Sequence, residues 1–523
     1  MKKRIIWLSL ALVVGQASHA FAQGASDALQ YSRLQFGGPA RTQGIGGANV
    51  ALGADFGNLT SNPAGLGLFQ KSEIHLTPGI GLGQGDARIE GNTSAAQNET
   101  KNSFHIASAG LVLTTRRPDS DNSSNWRGGA FALGFSRVAD FNTASRYQGT
   151  INNNQSFLAR LRPSAGPNNQ AFFNDLDAQA ADNDFTSNLG LAYGAYLANV
   201  MRARLGSRPD SAVVLRQQGS VLTQSELVVN SGSISQFDLG YGANYRDKLY
   251  IGGAIGIVTS NYTQTRTLTE GDNDPNTHFN SLTSRSTLKT KGSGFNARVG
   301  IIYRANDVIR LGASVQTPTF MRLTDTSDES LVANFSAQGT DPVPSDLPVG
   351  DSPTVAFATN DYAYTLTTPF RANGGVAITL GKHGFVTGDV EYVGYGQARL
   401  HNDPQNANGD DYPFSTENRD IQDRYKSTVN LRFGAEGRFD VFRVRLGYAR
   451  YGDPYKADTN NERAQNFYTA GVGLRQGNFF IDAAAVYSAF DQQYTPYSVG
   501  GLEPLIKVNN TRYTTSVTAG ITF

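Results

Sequence analysis

The chain closes on Thr511-Arg512-Tyr513-Thr514-Thr515-Ser516-Val517-Thr518-Ala519-Gly520-Ile521-Thr522-Phe523, and the alternation in this stretch decides the fold. Odd positions from Tyr513 read Tyr, Thr, Val, Ala, Ile, Phe; even positions from Arg512 read Arg, Thr, Ser, Thr, Gly, Thr. Successive side chains of a strand point to opposite faces, so this is a strand with one greasy face and one polar face. The pattern recurs upstream. Phe237, Leu239, Tyr241, Ala243 and Tyr245 oppose Asp238, Gly240, Gly242 and Asn244; Val429, Leu431, Phe433 and Ala435 oppose Asn430, Arg432, Gly434 and Glu436. Ala297, Val299, Ile301 and Tyr303 likewise oppose Arg298, Gly300 and Arg304, and Phe442, Val444, Leu446 and Tyr448 oppose Arg443, Arg445 and Gly447. Such apolar faces suit lipid, and polar faces with Arg and Glu suit a wet or plugged lumen.

Connection lengths sharpen the reading. Alternating segments fall near 73–83, 103–114, 128–138, 235–246, 248–265, 286–304, 308–318, 360–380, 384–397, 427–437, 440–452, 465–476, 478–492 and 509–523. Five joints are very short, around Asp247, Asn306-Asp307, Lys382-His383, Phe439-Asp440 and Gly477, and they alternate with long ones. Short turns on one rim and long loops on the other are a barrel pattern that a soluble sandwich has no reason to follow. The expected fold is all-β: a transmembrane antiparallel β-barrel of about 14 strands. Tyr245, Tyr250, Tyr303, Tyr392, Tyr395, Tyr448 and Tyr451, near strand ends, are candidates for an interfacial aromatic girdle.

Composition fits. The 523 residues include 57 Gly and no Cys, which removes disulfide scaffolds and thiolate chemistry. Lys+Arg number 45 against 44 Asp+Glu, a net +1 that predicts no nucleic-acid partner. Met1-Lys2-Lys3-Arg4, the apolar run Ile5 to Val14, and Ala20-Phe21-Ala22 together read as a secretory signal peptide over residues 1–22. After it there is no run of 18 apolar residues.

The terminal Phe523 on an alternating strand resembles the assembly signal of Gram-negative outer-membrane barrels. Residues 23–70 are not strand-like. Ser26 to Phe36 is compatible with a short helix, and Gly44-Ile45-Gly46-Gly47-Ala48-Asn49 fails the dinucleotide fingerprint because Asn49 stands where its third Gly belongs. Asn62-Pro63-Ala64-Gly65-Leu66 then resembles the hatch motif of the FadL/TodX/OmpP1 family of outer-membrane transporters of hydrophobic compounds. Gly242-Ala243-Asn244-Tyr245, Leu249-Tyr250-Ile251-Gly252, Gly294-Phe295-Asn296-Ala297, Thr317-Pro318-Thr319, Thr368-Pro369 and Asp389-Val390-Glu391-Tyr392 resemble the family in similar order, over nearly all of the mature chain. The resemblance implies a monomeric fourteen-stranded barrel over 71–523, plugged by an N-terminal hatch at 23–70. It implies passive uptake of long-chain fatty acids or aromatic hydrocarbons, gated by Asn62, Pro63, Ala64 and Gly65, with lateral exit at a kinked third strand. Ala139-Asp140-Phe141 is the candidate place for that kink. Implied partners are the apolar ligand, outer-membrane lipid and lipopolysaccharide, and the barrel assembly machinery. A PorV-like scaffold that binds protein partners is the alternative.

The loop at 139–234 carries a helical stripe, Leu189, Ala192, Tyr193, Tyr196, Leu197, Val200 and Met201, with Ser187 to cap its start and Gly206 its end. Leu189, Tyr193, Tyr196, Leu197, Val200 and Met201 are the candidate groove for an apolar ligand; packing as a roof over the barrel is the competing use. Phe172, Phe173, Leu176 and Ala180 suggest a second helix. No cofactor, metal or catalytic residue is expected: the six His never reach metal-ligand spacing, and no P-loop or G-x-S-x-G occurs. His105 is the one candidate left to a barrel enzyme. The lumen charges Arg298, Arg432, Glu436, Arg443, Arg445, Asp389, Glu391 and Asp482 are expected to pair across the interior.

Overall fold

A computed structural model describes residues 24–92, 94–118, 120–121, 123–161, 170–201, 212–341, 347–357, 359–403, 412–456 and 463–523. The expected signal peptide at 1–22 lies outside the described residues. The alternating segments form one antiparallel wall. In chain order it runs Glu73–Ile89, Gln97–Arg116, Trp126–Asp140, Val221–Tyr245, Leu249–Asp272, Phe279–Arg304, Ile309–Gln316, Arg371–Thr379, Gly384–Gly394, Ser427–Phe439, Phe442–Tyr451, Gln465–Gln476, Phe479–Tyr494 and Ile506–Thr522. Each pairs with the next. The last returns to the first, from Glu73↔Thr522 to Ile89↔Ile506, and closes the cylinder.

Four wall strands continue past a break toward the long-loop rim. Thr143–Asn152 follows Trp126–Asp140, Phe320–Phe335 follows Ile309–Gln316, and Arg399–Asn402 follows Gly384–Gly394. Asn360–Thr367 precedes Arg371–Thr379 across Thr368-Pro369-Phe370. Two of the breaks hold a proline, Pro318 and Pro369, which has no N–H to give a ladder. The sequence reading stopped at the first break of the third and seventh strands, so Thr143–Asn152 and Phe320–Phe335 went unread. On the opposite rim the tight turns are built as their chemistry demands: Arg246, Asp247 and Asp440 take positive φ, as do Gly381 and Gly477.

The pleat sorts the side chains as the alternation requires. Phe104, Val299 and Leu446 are 74%, 64% and 63% exposed on the outer face. Four tyrosines on neighbouring strands, Tyr448, Tyr468, Tyr487 and Tyr513, make a row with ring centroids 5.3, 6.3 and 4.8 Å apart. Of the proposed girdle residues, Tyr303 and Tyr392 are exposed, whereas Tyr250, Tyr395 and Tyr451 are buried; strand-end position did not reveal which face each occupied. Inside, Arg432 pairs with Glu391 at 2.7 Å, Arg445 bridges Glu436 and Asp482 at 2.7 Å each, and Arg298 pairs with Asp238. Arg443 stands apart from this network and donates to the carbonyls of Asp440 and Phe442.

No helix among the described residues is long and apolar enough to cross a membrane. The α-helices among the described residues are Ala25–Ser32, Ala40–Gly44, Asn58–Ser61, Phe157–Arg160, Gln170–Asp182, Asn188–Gly194 and Ser415–Arg424, all before the wall or in its loops.

Candidate functional site

The N-terminal segment touches the wall on every side. Ala40 N–H donates to Thr518 Oγ1 (2.7 Å) and Ser516 Oγ to Gln43 Oε1 (2.8 Å) on the closing strand. Thr469 Oγ1 donates to the Gly44 carbonyl (3.0 Å), and Val50 N–H to Asp389 Oδ2 (3.0 Å). Arg310 Nη1 donates to the Leu52 carbonyl (2.7 Å), and Ser314 Oγ to that of Ser61 (2.6 Å). The wall makes room by lacking side chains where the segment passes. A Cβ on Gly252 would lie 2.4 Å from the Pro63 carbonyl, and one on Gly447 would lie 2.3 Å from the Ile45 carbonyl carbon. Gly447 read as part of a polar face in the sequence, and both glycines are contact points for another backbone.

The Asn62-Pro63-Ala64-Gly65 motif is a built corner. Asn62, wholly buried, donates from Nδ2 to the Val50 carbonyl (2.8 Å) and the wall carbonyl of Ile301 (3.1 Å). Its Oδ1 accepts from Ala64 N–H (3.2 Å) and caps the short 3-10 helix Pro63–Leu68, with Pro63 at the first position, where a missing N–H costs nothing. Gly65 packs on Asn58 so closely that a Cβ would meet Asn58 Cγ at 2.4 Å. The expected short helix near Ser26 is Ala25–Ser32, and it sits in an apolar collar toward the long-loop rim: Val138, Tyr262, Leu323, Tyr364, Leu366 and Tyr425. The alternation rule had sent apolar side chains outward everywhere; at this level they also face inward.

The third strand parts from the second at the candidate place while keeping its ladder with the fourth, Thr143↔Asn230 to Asn152↔Val221. It pairs with the second strand only from Ser108↔Ser136 to Arg116↔Gly128; the next pair on that side is Gln97↔Arg146. Residues 98–107 of the second strand therefore have no ladder partner there among the described residues. Past Asp140 the chain crosses the inner face of the first strand, pairing Gly85↔Ser145 and Asp86↔Arg146 in parallel. The Asn142 carbonyl lies 2.5 Å from where a Gly83 Cβ would stand. This bend is held from several directions. Asp140 pairs with Arg137 (2.8 Å) and Arg512 (3.1 Å) and accepts the Asn142 N–H (2.8 Å). Arg512 also donates to the carbonyls of Asp140 (2.9 Å) and Asn142 (2.5 Å), and Phe141 N–H to that of Gly232 (3.0 Å). A cavity of about 70 Å³ opens beside it, lined by Phe36, His105, Val138, Asp140, Phe467 and Arg512 among others. His105, the enzyme candidate, is thus part of the bend's surroundings.

The long loops pack as a roof. Leu189 and Leu197 are buried with Leu176, Phe279, Leu331 and Phe335, and Tyr193 and Tyr196 lie partly buried against the same cluster. Ser187 Oγ caps the helix as expected by accepting Gly190 N–H (2.9 Å), and Tyr193 Oη ties it to Asp177 (2.7 Å) on the Gln170–Asp182 helix. The helix is shorter than the stripe. It spans Asn188–Gly194; Tyr196 turns left-handed at φ 60, and Ala198–Met201, with Val200 and Met201, is a strand paired to Ala212–Leu215. Gly194 is held against the Phe185 ring at 2.4 Å from a would-be Cβ, and the apolar spacing ran on through the turn because Leu197 and Ala198 feed the same cluster as the helix. The expected cap Gly206 lies outside the described residues. Below the roof is a cavity of about 700 Å³ bordered by Phe157, Arg160, Arg266, Leu268, Phe357 and Tyr497.

The architecture is that of an outer-membrane β-barrel. No family model matches the sequence, and no curated protein matches it. Solved structures match in fold. A Pseudomonas aeruginosa FadL homologue is 12% identical with a TM-score of 0.50, covering 93% of this chain and 99% of that one. A deletion mutant of the TodX monoaromatic hydrocarbon channel gives the same figures. The Pseudomonas putida toluene transporter TodX is 12% identical at a TM-score of 0.49, over 93% and 99%. Within the outer-membrane barrels, the chain has the fold of the FadL-type channels, as the Asn62-Pro63-Ala64-Gly65 motif implied.

Proposed function

We propose that this chain is an outer-membrane channel for passive uptake of hydrophobic small molecules, long-chain fatty acids or aromatic hydrocarbons, through a hatch-gated barrel with lateral exit. The proposed barrel has fourteen strands, counting segments on either side of a break as one. Residues 23–70 are its plug, and 71–523 the barrel with its loops. The observation that carries the reading is the third strand, bent inward beside an edge of the second strand that lacks ladder partners. An aqueous pore gains nothing from a wall opened toward hydrocarbon; an apolar cargo does, since it leaves for lipid without crossing water.

The proposed path begins at the roof, where Leu189, Tyr193, Tyr196 and Leu197, with Val200 and Met201 on the adjoining strand, flank the entrance. It continues through the apolar collar around Ala25–Ser32, and movement of the Asn62 to Gly65 corner opens the way to the bend. The cargo's own gradient supplies the driving force, and no bond chemistry is involved. The protein acts as a monomer in lipid and lipopolysaccharide, placed there by the barrel assembly machinery. Uptake of labelled toluene and of labelled oleate by cells with and without the gene tests the reading. Faster entry of at least one is expected with the gene; equal rates for both end the proposal.

A further inference from the structure

A cavity whose lining the proposed function leaves unexplained lies at the short-turn rim, opposite the roof. It holds about 1240 Å³ and is bounded above by Leu52 to Ala54 and Leu68 to Lys71. Ten arginines and one lysine line it, against two aspartates and two glutamates, in a chain whose Lys+Arg and Asp+Glu differ by one. Some of that charge is spent internally. Asp55, Asp247, Asp307, Glu436 and Asp482 take up seven of the arginines as ion pairs. Four cations remain with no carboxylate among the described residues. Arg310 meets the Leu52 carbonyl, Arg443 two backbone carbonyls, and Lys71 the Asn478 amide oxygen (3.0 Å); Arg246 is exposed on its turn.

We infer that this vestibule is a binding site for a multivalent phosphate-bearing anion. Guanidinium groups present planar donor forks that match phosphate oxygens, and backbone carbonyls leave most of the donors of Arg310 and Arg443 unspent. Converging cations in a concave mouth with low-dielectric protein walls focus the field and raise the local concentration of anions. The lining comes from both the N-terminal segment (Arg41) and the wall (Arg310, Arg438, Arg443), so a bound anion ties the two together from below. Nothing here depends on the cargo, so this site stands or falls separately from hydrocarbon uptake.

The test is calorimetric titration of the detergent-solubilised full chain at fixed ionic strength, with chloride as the competing anion. Two probes separate the sources: inorganic pyrophosphate for a free phosphate compound, and dihexanoyl phosphatidate for a lipid headgroup. Saturable binding of either is expected, weakened roughly tenfold or more in Arg310→Gln/Arg443→Gln because charge-assisted bonds are lost. Neither residue holds a carboxylate, so the double variant should fold, as checked by heat-modifiable migration. Arg419→Gln, on the loop helix Ser415–Arg424, is the control and should bind as the parent does. No saturable binding of either probe, undiminished binding in the double variant, or an equal loss in the control overturns the inference.

Discussion

Asn62 satisfies one wall carbonyl, one carbonyl of its own segment and one helix N–H, all from a side chain with no contact to water. Replacing it with alanine strands those groups, and each buried group left unpaired costs about 1–3 kcal/mol. The loss falls on the N-terminal segment because the wall ladder never passes through this residue. Asn62→Ala should therefore keep its heat-modifiable barrel while residues 24–70 become sensitive to protease added in detergent. Cleavage at the parent rate would show that the corner is not what holds the segment in place. The motif was legible as a turn because Asn and Pro have local consequences. Its wall partners were not, because Ile301 offers only a carbonyl and Gly300 only an absence: a Cβ there would stand 1.9 Å from Asn62 Oδ1.

The bend of the third strand is a property of an element, and it hangs on a residue of another. Arg512, on the closing strand, holds Asp140 and the two carbonyls flanking Phe141. Arg512→Met keeps the length and removes the charge, weakening the bend by about 3 kcal/mol, since hydrogen bonds to charged groups contribute about 1.5–3 kcal/mol each. A strand freed in this way is expected to straighten toward residues 98–107, and uptake of labelled toluene should drop below parent at equal surface expression. Unchanged uptake would detach the bend from transport. The same element shows where sequence reading runs out. Strands with one wet and one greasy face announce themselves by period two, so segments such as Gln465–Gln476 were placed to the residue. Thr143–Asn152 is hidden because, beyond the break, its pattern answers to the inner face of the first strand and to Val221–Tyr245 rather than to lipid. The Leu189 stripe erred for a related reason: Leu189 and Ala192 before the Tyr196 turn and Leu197 after it are buried in one cluster, which imitates a single helix.

At the scale of the whole molecule, wall and N-terminal segment are separable. The wall begins at Glu73 and closes on Thr522 through ladders that include no earlier residue. Besides apolar packing on the collar and on Val112, Ala132, Ala254 and Phe385, the segment gives the wall polar partners: Val50 N–H for Asp389, the Ser32 carbonyl for Arg371, the Gly44 carbonyl for Thr469. Water can supply each of these once the lumen is wet, and Asp389 and Arg371 then become solvated rather than stranded. The outer face, which meets lipid, is untouched. Deleting residues 24–70 behind a retained signal should thus give a barrel that still inserts but melts at lower temperature. In planar bilayers it should show stepwise ionic conductance where the parent is silent. The argument fails if a deletion variant with the folded, heat-modifiable band carries no more current than the parent, because the lumen would then be sealed by the side chains and loops of the wall itself.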